Sequence, residues 1–308
     1  MIDDKIIDFL YGQKKILNSS LTKEQVEFDK ERACKINELL ERKVFNQQDI
    51  NEIENTSPYK YVEKAYKCIL SEIIKRSSQC TALKERTFHI IVTGGIDLRI
   101  ESTEQEGFIL LEWPLIKYID LLNTSILCAN DFKELHMDCL AILQAYTDKF
   151  IQEKPIEIFS NLYNLDEINK EKYQIMQLFQ QIQSIYILGH EIGHLLHKNA
   201  TDLEAEILAD TEALNIVFEY TRHNTKIKPW AIISIMLLFS YLELLNVNMA
   251  SSKEKKILVR DNWLQRYDSV LDQIQSENLH SNTDDFISMY DQICNFLDEL
   301  TIILIESS

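Results

Sequence analysis

A mostly helical α+β fold with one small β-sheet is what this sequence predicts, on three observations. Only six Gly and four Pro stand among 308 residues, too few turn-formers for a chain of many short strands. Apolar residues recur at helical spacing along most of the chain. Strand-like runs are confined to residues 86–113, where RTFHIIV, IDLRIES and GFILLEW are separated by Gly94-Gly95 and by a turn-prone stretch ending at Gly107.

The elements follow in chain order. Residues 1–80 are charged and helix-rich, and YVEKAYKCILSEIIKRSS carries its apolar residues at helical spacing. The three strand runs come next, and Pro114 ends the last of them. Helical patterns resume in LIKYIDLL and FKELHMDCLAILQAYTDKFI. The spacing then predicts a long helix over about 167–198 and a second over about 202–220. PWAIISIMLLFSYLELLNVNM, residues 229–249, is long enough to span a bilayer. Ser234, Ser240, Tyr241 and Glu243 interrupt it and no basic cluster flanks it tightly, so a central buried helix is expected. WLQRYDSVLDQIQ and a helix near 284–305 complete the pattern. The chain thus divides into an N-terminal helical region (1–80), a central core (81–250) and a C-terminal helical region (251–308).

Composition narrows the function classes. With 45% hydrophobic and 26% charged residues, the chain reads as a soluble globular protein. A net charge of −17 disfavours nucleic acid, whose phosphates select Lys and Arg, and disfavours anionic membrane surfaces. Cys34, Cys68, Cys80, Cys128, Cys139 and Cys294 form no CxxC pair and are expected to be reduced and mostly buried. MIDDKIIDFLYGQKK begins with acids and lacks a long apolar run, so no signal peptide and a cytoplasmic location are expected.

The chemistry lies in SIYILGHEIGHLLHKNATDLEAEILADTEAL, residues 184–214, where histidines and carboxylates thread an oily segment. Charged groups at such positions are costly to bury unless something binds them. His190-Glu191-Ile192-Gly193-His194 is an HExxH motif. On a helix its two imidazoles lie on one face, one turn apart, and can bind one zinc ion, while Glu191 can reach a metal-bound water. His197 is placed to cap the end of that helix rather than to ligate.

The third ligand is expected across a helical hairpin. The first helix should end near Asn199, and Thr201-Asp202-Leu203-Glu204 reads as a capping box for the next. A turn centred near residue 200 sets Glu206 level with His194, and Asp210 level with His190. Asp210 can then accept a hydrogen bond from the histidine nitrogen that does not ligate, fixing its tautomer and ring direction. Ala209 and Ala213 are small enough to let the two helices close in. His89 and His136 have no partners of this kind and read as structural.

HEIGH followed by Glu206-Ile207-Leu208-Ala209-Asp210 resembles the HExxH/ExxAD pattern of the gluzincin zinc metallopeptidases. The local form, LGHEIGHLLHKN then EAEILAD, also resembles bacterial phage-exclusion (Lit-like) peptidases and, less closely, the ImmA/IrrE type. The resemblance covers about 30 residues. It implies a gluzincin-like core with His190, His194 and Glu206 as Zn2+ ligands, Glu191 as general base and Asp210 behind the histidines. It implies hydrolysis of a peptide bond in an intracellular protein or peptide substrate, in phage defence or stress regulation, with a regulatory protein as a further partner. Such enzymes also carry a Tyr, His or Arg that stabilises the oxyanion; Tyr220, Arg222, His223, Arg266 and His280 are the candidates here. GFILLEW reads either as an edge strand that pairs with extended substrate or as an ordinary core strand. The competing class is a binding or sensor module on a peptidase scaffold, with zinc structural or absent; loss of Glu191 would favour it, and Glu191 is present.

Overall fold

The computed structural model describes residues 23–42, 47–94, 99–102, 106–147, 169–197, 200, 202–224, 226–276 and 284–306. These are mostly helical with a single small sheet, as expected. The chain forms two compact units, divided at Asp120 within the helix Trp113–Cys128. The sheet falls in the first unit together with the N-terminal helices, and the HExxH segment falls in the second together with the C-terminal helices.

In the first unit, helices α1 (Lys23–Arg42), α2 (Gln47–Thr56) and α3 (Lys60–Arg76) precede strands β1 (Thr87–Thr93), β2 (Arg99–Ser102) and β3 (Glu106–Glu112). The strand order is β1-β3-β2, with β1 parallel and β2 antiparallel to β3. The register sets Ile91 beside Leu110 and His89 beside Phe108. Ile91, Phe108 and Leu110 join Ala33, Ile36, Leu39, Ile50 and Ile53 in one core cluster beneath α1 and α2. The alternate residues Phe88, Ile90, Val92, Ile109 and Leu111 are buried as well, which is why these strands read as continuous apolar runs. A buried ion network ties the helices to the end of β1. Arg32 donates to Glu63 at 2.8 Å and to the Val92 carbonyl at 2.7 Å, while Glu63 accepts from the Val92 amide at 2.9 Å.

Strand β3 is central, paired on both sides. GFILLEW thus has no free backbone edge for an extended peptide, and its reading as an ordinary core strand holds. His89 stacks on Phe108 at 5.1 Å and pairs with Glu54 at 2.9 Å, the structural role expected.

The second unit holds α5 (Phe132–Thr147), α6 (Lys170–Leu196), α7 (Asp202–Thr221), α8 (Lys228–Met249), α9 (Lys253–Ser276) and α10 (Asp284–Glu306), with the end of α4 (Trp113–Cys128). Asn169 caps α6 by accepting from the amides of Glu171 and Lys172 at 2.7 and 3.4 Å. That helix ends at Leu196 with His197 as its cap residue, earlier than the expected Asn199. Asn199 and Thr201, and with them the expected capping box, lie outside the described residues. Asp202 opens α7 with a φ of 35°, a left-handed conformation that Asp tolerates.

Helices α6 and α7 form the hairpin, in backbone contact. A methyl carbon placed on Gly193 would lie 2.6 Å from the Ala209 Cα, and one on Gly189 3.0 Å from the Ala213 Cα. The small alanines do face the partner helix, and each faces a glycine.

Helix α8 packs on α5, α6, α7, α9 and α10, and an apolar surface all round suits that central place. This 22-residue helix is long and apolar enough to cross a membrane, with an 18-residue stretch of mean hydropathy 1.8, and 67% of that stretch is buried inside the protein. Gln183 of α6 bonds Asn123 at 2.7 and 3.2 Å and the Ser234 carbonyl at 3.1 Å, fixing α4, α6 and α8 together. Glu243 of α8 lies 3.9 Å from Arg260 of α9. All six thiols are free, but only Cys80 and Cys139 are buried; Cys34 and Cys68 are exposed, against the expectation of mostly buried cysteines.

Two outcomes follow from this packing. Gly193→Ala pushes the hairpin apart, and denaturant unfolding should show a net loss of about 1–3 kcal/mol from overpacking, even though Ala gains about 1 kcal/mol over Gly in helix propensity. Parental stability in that variant would mean the helices are not in backbone contact. The second concerns Glu243. Burial pushes its carboxyl up to about 7, opposed by Arg260 and reinforced by Asp298. Its folded-state pKa thus lies above the unfolded value, so its contribution to stability is full below the unfolded pKa and is lost as pH rises through about 7. Tm followed from pH 5 to pH 8 should fall less in Glu243→Gln than in the parent.

Candidate metal centre

His190, Glu191 and His194 come from the last turns of α6, and Glu206 and Asp210 from the first turns of α7. The glycine–alanine seam presses these two stretches together, so that side chains 16 and 20 positions apart meet. His190 Nε2 and His194 Nε2 are 3.1 Å apart. Glu206 Oε2 is 3.4 Å from His190 Nε2, and Glu206 Oε1 is 3.4 Å from His194 Nε2. The three ligand atoms fall within 4.8 Å of one another, close enough to hold one metal ion. His190, His194 and Glu206 are thus brought together as the hairpin register expected, and Asp210 lies level with His190.

Asp210 is the anchor of the group. It is 1% exposed, yet its oxygens meet four donors. Oδ1 receives His190 Nδ1 at 2.9 Å, the Tyr186 hydroxyl at 3.0 Å and Arg266 Nη2 at 2.9 Å; Oδ2 receives Arg266 Nε at 2.7 Å. Burial alone would raise this carboxyl, but the hydrogen bonds from His190 and Arg266 hold it down at about 2. An ionised Asp210 accepts only, so Nδ1 of His190 carries a hydrogen and Nε2 is the atom turned toward His194 and Glu206.

The donor set draws positive charge. Burial pulls His190 down, but its hydrogen bonds to Asp210 and Glu206 raise it to about 9. His194 is held below the usual histidine value by burial and by the neighbouring His190. Glu206 stays below the usual carboxylate value, because His190 and Arg266 outweigh its partial burial. Two imidazole nitrogens and a carboxylate converging in this way suit a divalent cation of the first transition row.

Glu191 is 3% exposed and its Oε2 is buried without a hydrogen-bond partner. A buried carboxylate oxygen left unpaired is costly, so its place beside the cluster calls for a role. Burial pushes its carboxyl up to about 7, opposed by His190 and reinforced by Glu206.

The remaining sequence candidates lie elsewhere. His197 caps α6, and its Nε2 meets Glu212 of α7 at 3.2 Å, bridging the hairpin rather than joining the cluster. Tyr220 is 14 residues beyond Glu206 on α7, about 21 Å along the helix, and accepts from Gln181 at 2.7 Å. Arg222 and His223 follow the helix end, exposed. None of the three is placed to meet an oxyanion at the cluster. His280 lies outside the described residues. Arg266 does reach the site, but as a partner of Asp210 and Glu206, with Nη1 2.9 Å from Glu206 Oε2. His136 packs edge-on against Phe296 at 6.0 Å, a structural role.

Tyr186 went unnoticed in the sequence, although it stands one helical turn before His190 and so shares its face. Arg266 carried no usable signal for its true role, being 56 positions from Asp210.

Elemental analysis of protein purified with a divalent transition metal should show about one ion per chain, removed by a chelator. His194→Ala and Glu206→Ala should each abolish stoichiometric uptake, and Asp210→Asn should weaken affinity roughly 10–100-fold. Equal metal content in parent and Glu206→Ala would refute the site. In comparisons with known proteins, no family model, no curated protein and no solved structure matches this chain.

Proposed function

We propose that this chain is a zinc-dependent endopeptidase that hydrolyses a peptide bond in an intracellular protein substrate, built on a gluzincin-like core. The observation that carries the reading is the convergence of His190, His194 and Glu206 beside a buried Glu191 whose Oε2 has no partner. Zinc fits the set in chemistry and in size. Four-coordinate zinc with ligand bonds near 2.0–2.1 Å has tetrahedral edges of about 3.3–3.4 Å; the two imidazole Nε2 atoms are 3.1 Å apart, and Glu206 Oε1 is 3.4 Å from His194 Nε2. Three protein ligands leave one position open, the arrangement of catalytic rather than structural zinc.

When bound, zinc supplies a Lewis acid that polarises the scissile carbonyl and acidifies water. His190, His194 and Glu206 hold it. Asp210 keeps His190 in the ligating tautomer. Glu191 takes the proton of the attacking water at its unpaired carboxylate oxygen and delivers it to the nitrogen of the leaving amine. Burial of Glu191, at 3% exposure, keeps the carboxylate poorly solvated and so a competent base. The local resemblance of HEIGH and EILAD to phage-exclusion peptidases directs the biological setting to phage defence or stress regulation, with cytoplasmic location and a regulatory protein partner as parts of the same proposal.

Glu191→Gln separates the peptidase from a sensor on the same scaffold. The variant should keep its metal and fold and lose roughly 10²–10⁴-fold in cleavage of a proteome-derived peptide library. A zinc-loaded parent that cleaves nothing in that library, and whose Glu191→Gln form traps no substrate, would favour the sensor.

A further inference from the structure

The geometry points to Arg266 as a positioning residue of the metal centre: it binds one oxygen of Glu206, leaving the other to face the metal, and through Asp210 it sets His190 in the same frame. This deepens the zinc-peptidase reading and rests on it.

Arg266 stands on α9 (Lys253–Ser276), outside the hairpin that supplies every metal ligand. Its guanidinium spends one edge on Asp210, with Nε at 2.7 Å from Oδ2 and Nη2 at 2.9 Å from Oδ1. The far nitrogen, Nη1, meets Glu206 Oε2 at 2.9 Å. One rigid fork thus bridges two carboxylates that sit one turn apart on α7, where like charges otherwise repel. Glu206 Oε1 remains on the His194 side, 3.4 Å from Nε2, as a single-oxygen ligand. The fork is itself fixed. Its Cζ lies 4.2 Å from the Trp263 ring centre and 5.8 Å from that of Phe239, and the side chain is 12% exposed. Trp263 is three residues before Arg266 and so shares its helix face.

Shape matters here as much as charge. A lysine ammonium is a compact point charge and cannot serve both carboxylates in one plane. Carboxylates that ligate metals are themselves hydrogen-bonded, and loss of such partners costs affinity. Helix α9 is therefore part of the metal centre, although it supplies none of the three ligands.

The test is zinc affinity by competition with a chromophoric chelator, with the visible spectrum of the cobalt-loaded protein as a second readout, for the full chain and for Arg266→Ala, Arg266→Lys and Glu206→Ala. Arg266→Ala should bind zinc roughly 10–100-fold more weakly. At saturating cobalt its bands should shift away from those of the parent, since the carboxylate is no longer held in place. Arg266→Lys should fall between parent and Arg266→Ala in affinity, with an altered spectrum. A merely structural arginine would lower stability and leave the cobalt spectrum of the folded protein unchanged. Parental affinity and spectrum in Arg266→Ala overturn the proposal; if that variant does not fold, the same result in Arg266→Lys overturns it. Equal zinc binding by parent and Glu206→Ala, or none by the parent, instead overturns the metal-centre reading beneath it.

Discussion

The contact of Gly193 with the Ala209 backbone governs the rest of the second unit. The close approach of α6 and α7 brings a carboxylate of α7 within 3.4 Å of imidazole nitrogens on α6. Ridge-and-groove packing usually leaves 8–10 Å between helix axes, with side chains filling the gap. Removing two Cβ atoms at Gly189 and Gly193, and keeping only methyls at Ala209 and Ala213, lets short reaches suffice. Glycine inside a helix costs about 1 kcal/mol against alanine, so the glycine within HEIGH is a local penalty accepted for close approach. The oily flanks, with Ile185, Leu188, Ile192 and Leu214 almost wholly buried, offset it.

Close approach creates an electrostatic problem, which the cluster resolves internally. Glu206 and Asp210 share one helix face, and Glu191 lies close by. Asp210 is neutralised by three neighbours from two other helices, His190 and Tyr186 on α6 and Arg266 on α9. Glu206 is only partly matched by Arg266 and the histidines, at 38% side-chain exposure. Glu191 has its burial and no donor for Oε2. The three carboxylates are thus graded from fully satisfied, through shared, to unpaired. In the reading proposed above, anchor, ligand and base need that order: the anchor must never change, the ligand must keep a lone pair free, and the base must be able to accept a proton.

How much of this could be read in the residues depends on how locally each feature is encoded. The hairpin and its register were legible, because HExxH, the break near residue 200 and ExxAD all fall within about 30 residues and obey one period. The three strands were legible from their β-branched runs, but not their order. A crossover that sets β3 between β1 and β2 is decided by packing against α1 and α2, which no local pattern records, and so GFILLEW could pass for an edge. The end of α6 came earlier than expected, where His197 takes the cap and Glu212 its side chain. Arg266 was visible only as one basic residue among several. Its role depends on α9 lying against α7, and α9 has few buried positions, Val270 and Ile274, to announce that face.

The wide separation of Arg266 from the carboxylates it serves has a consequence for the order of synthesis. Asp210 emerges from the ribosome 56 residues before its guanidinium partner, a delay of roughly 3–11 s at 5–20 residues per second. During that interval the hairpin can meet, but Asp210 and Glu206 would have to be buried side by side without their cation. The nascent chain is thereby held short of a finished centre until α9 docks. With the hydrolytic activity proposed above, such timing would act as a safeguard, since the centre is complete only once α9 has been made.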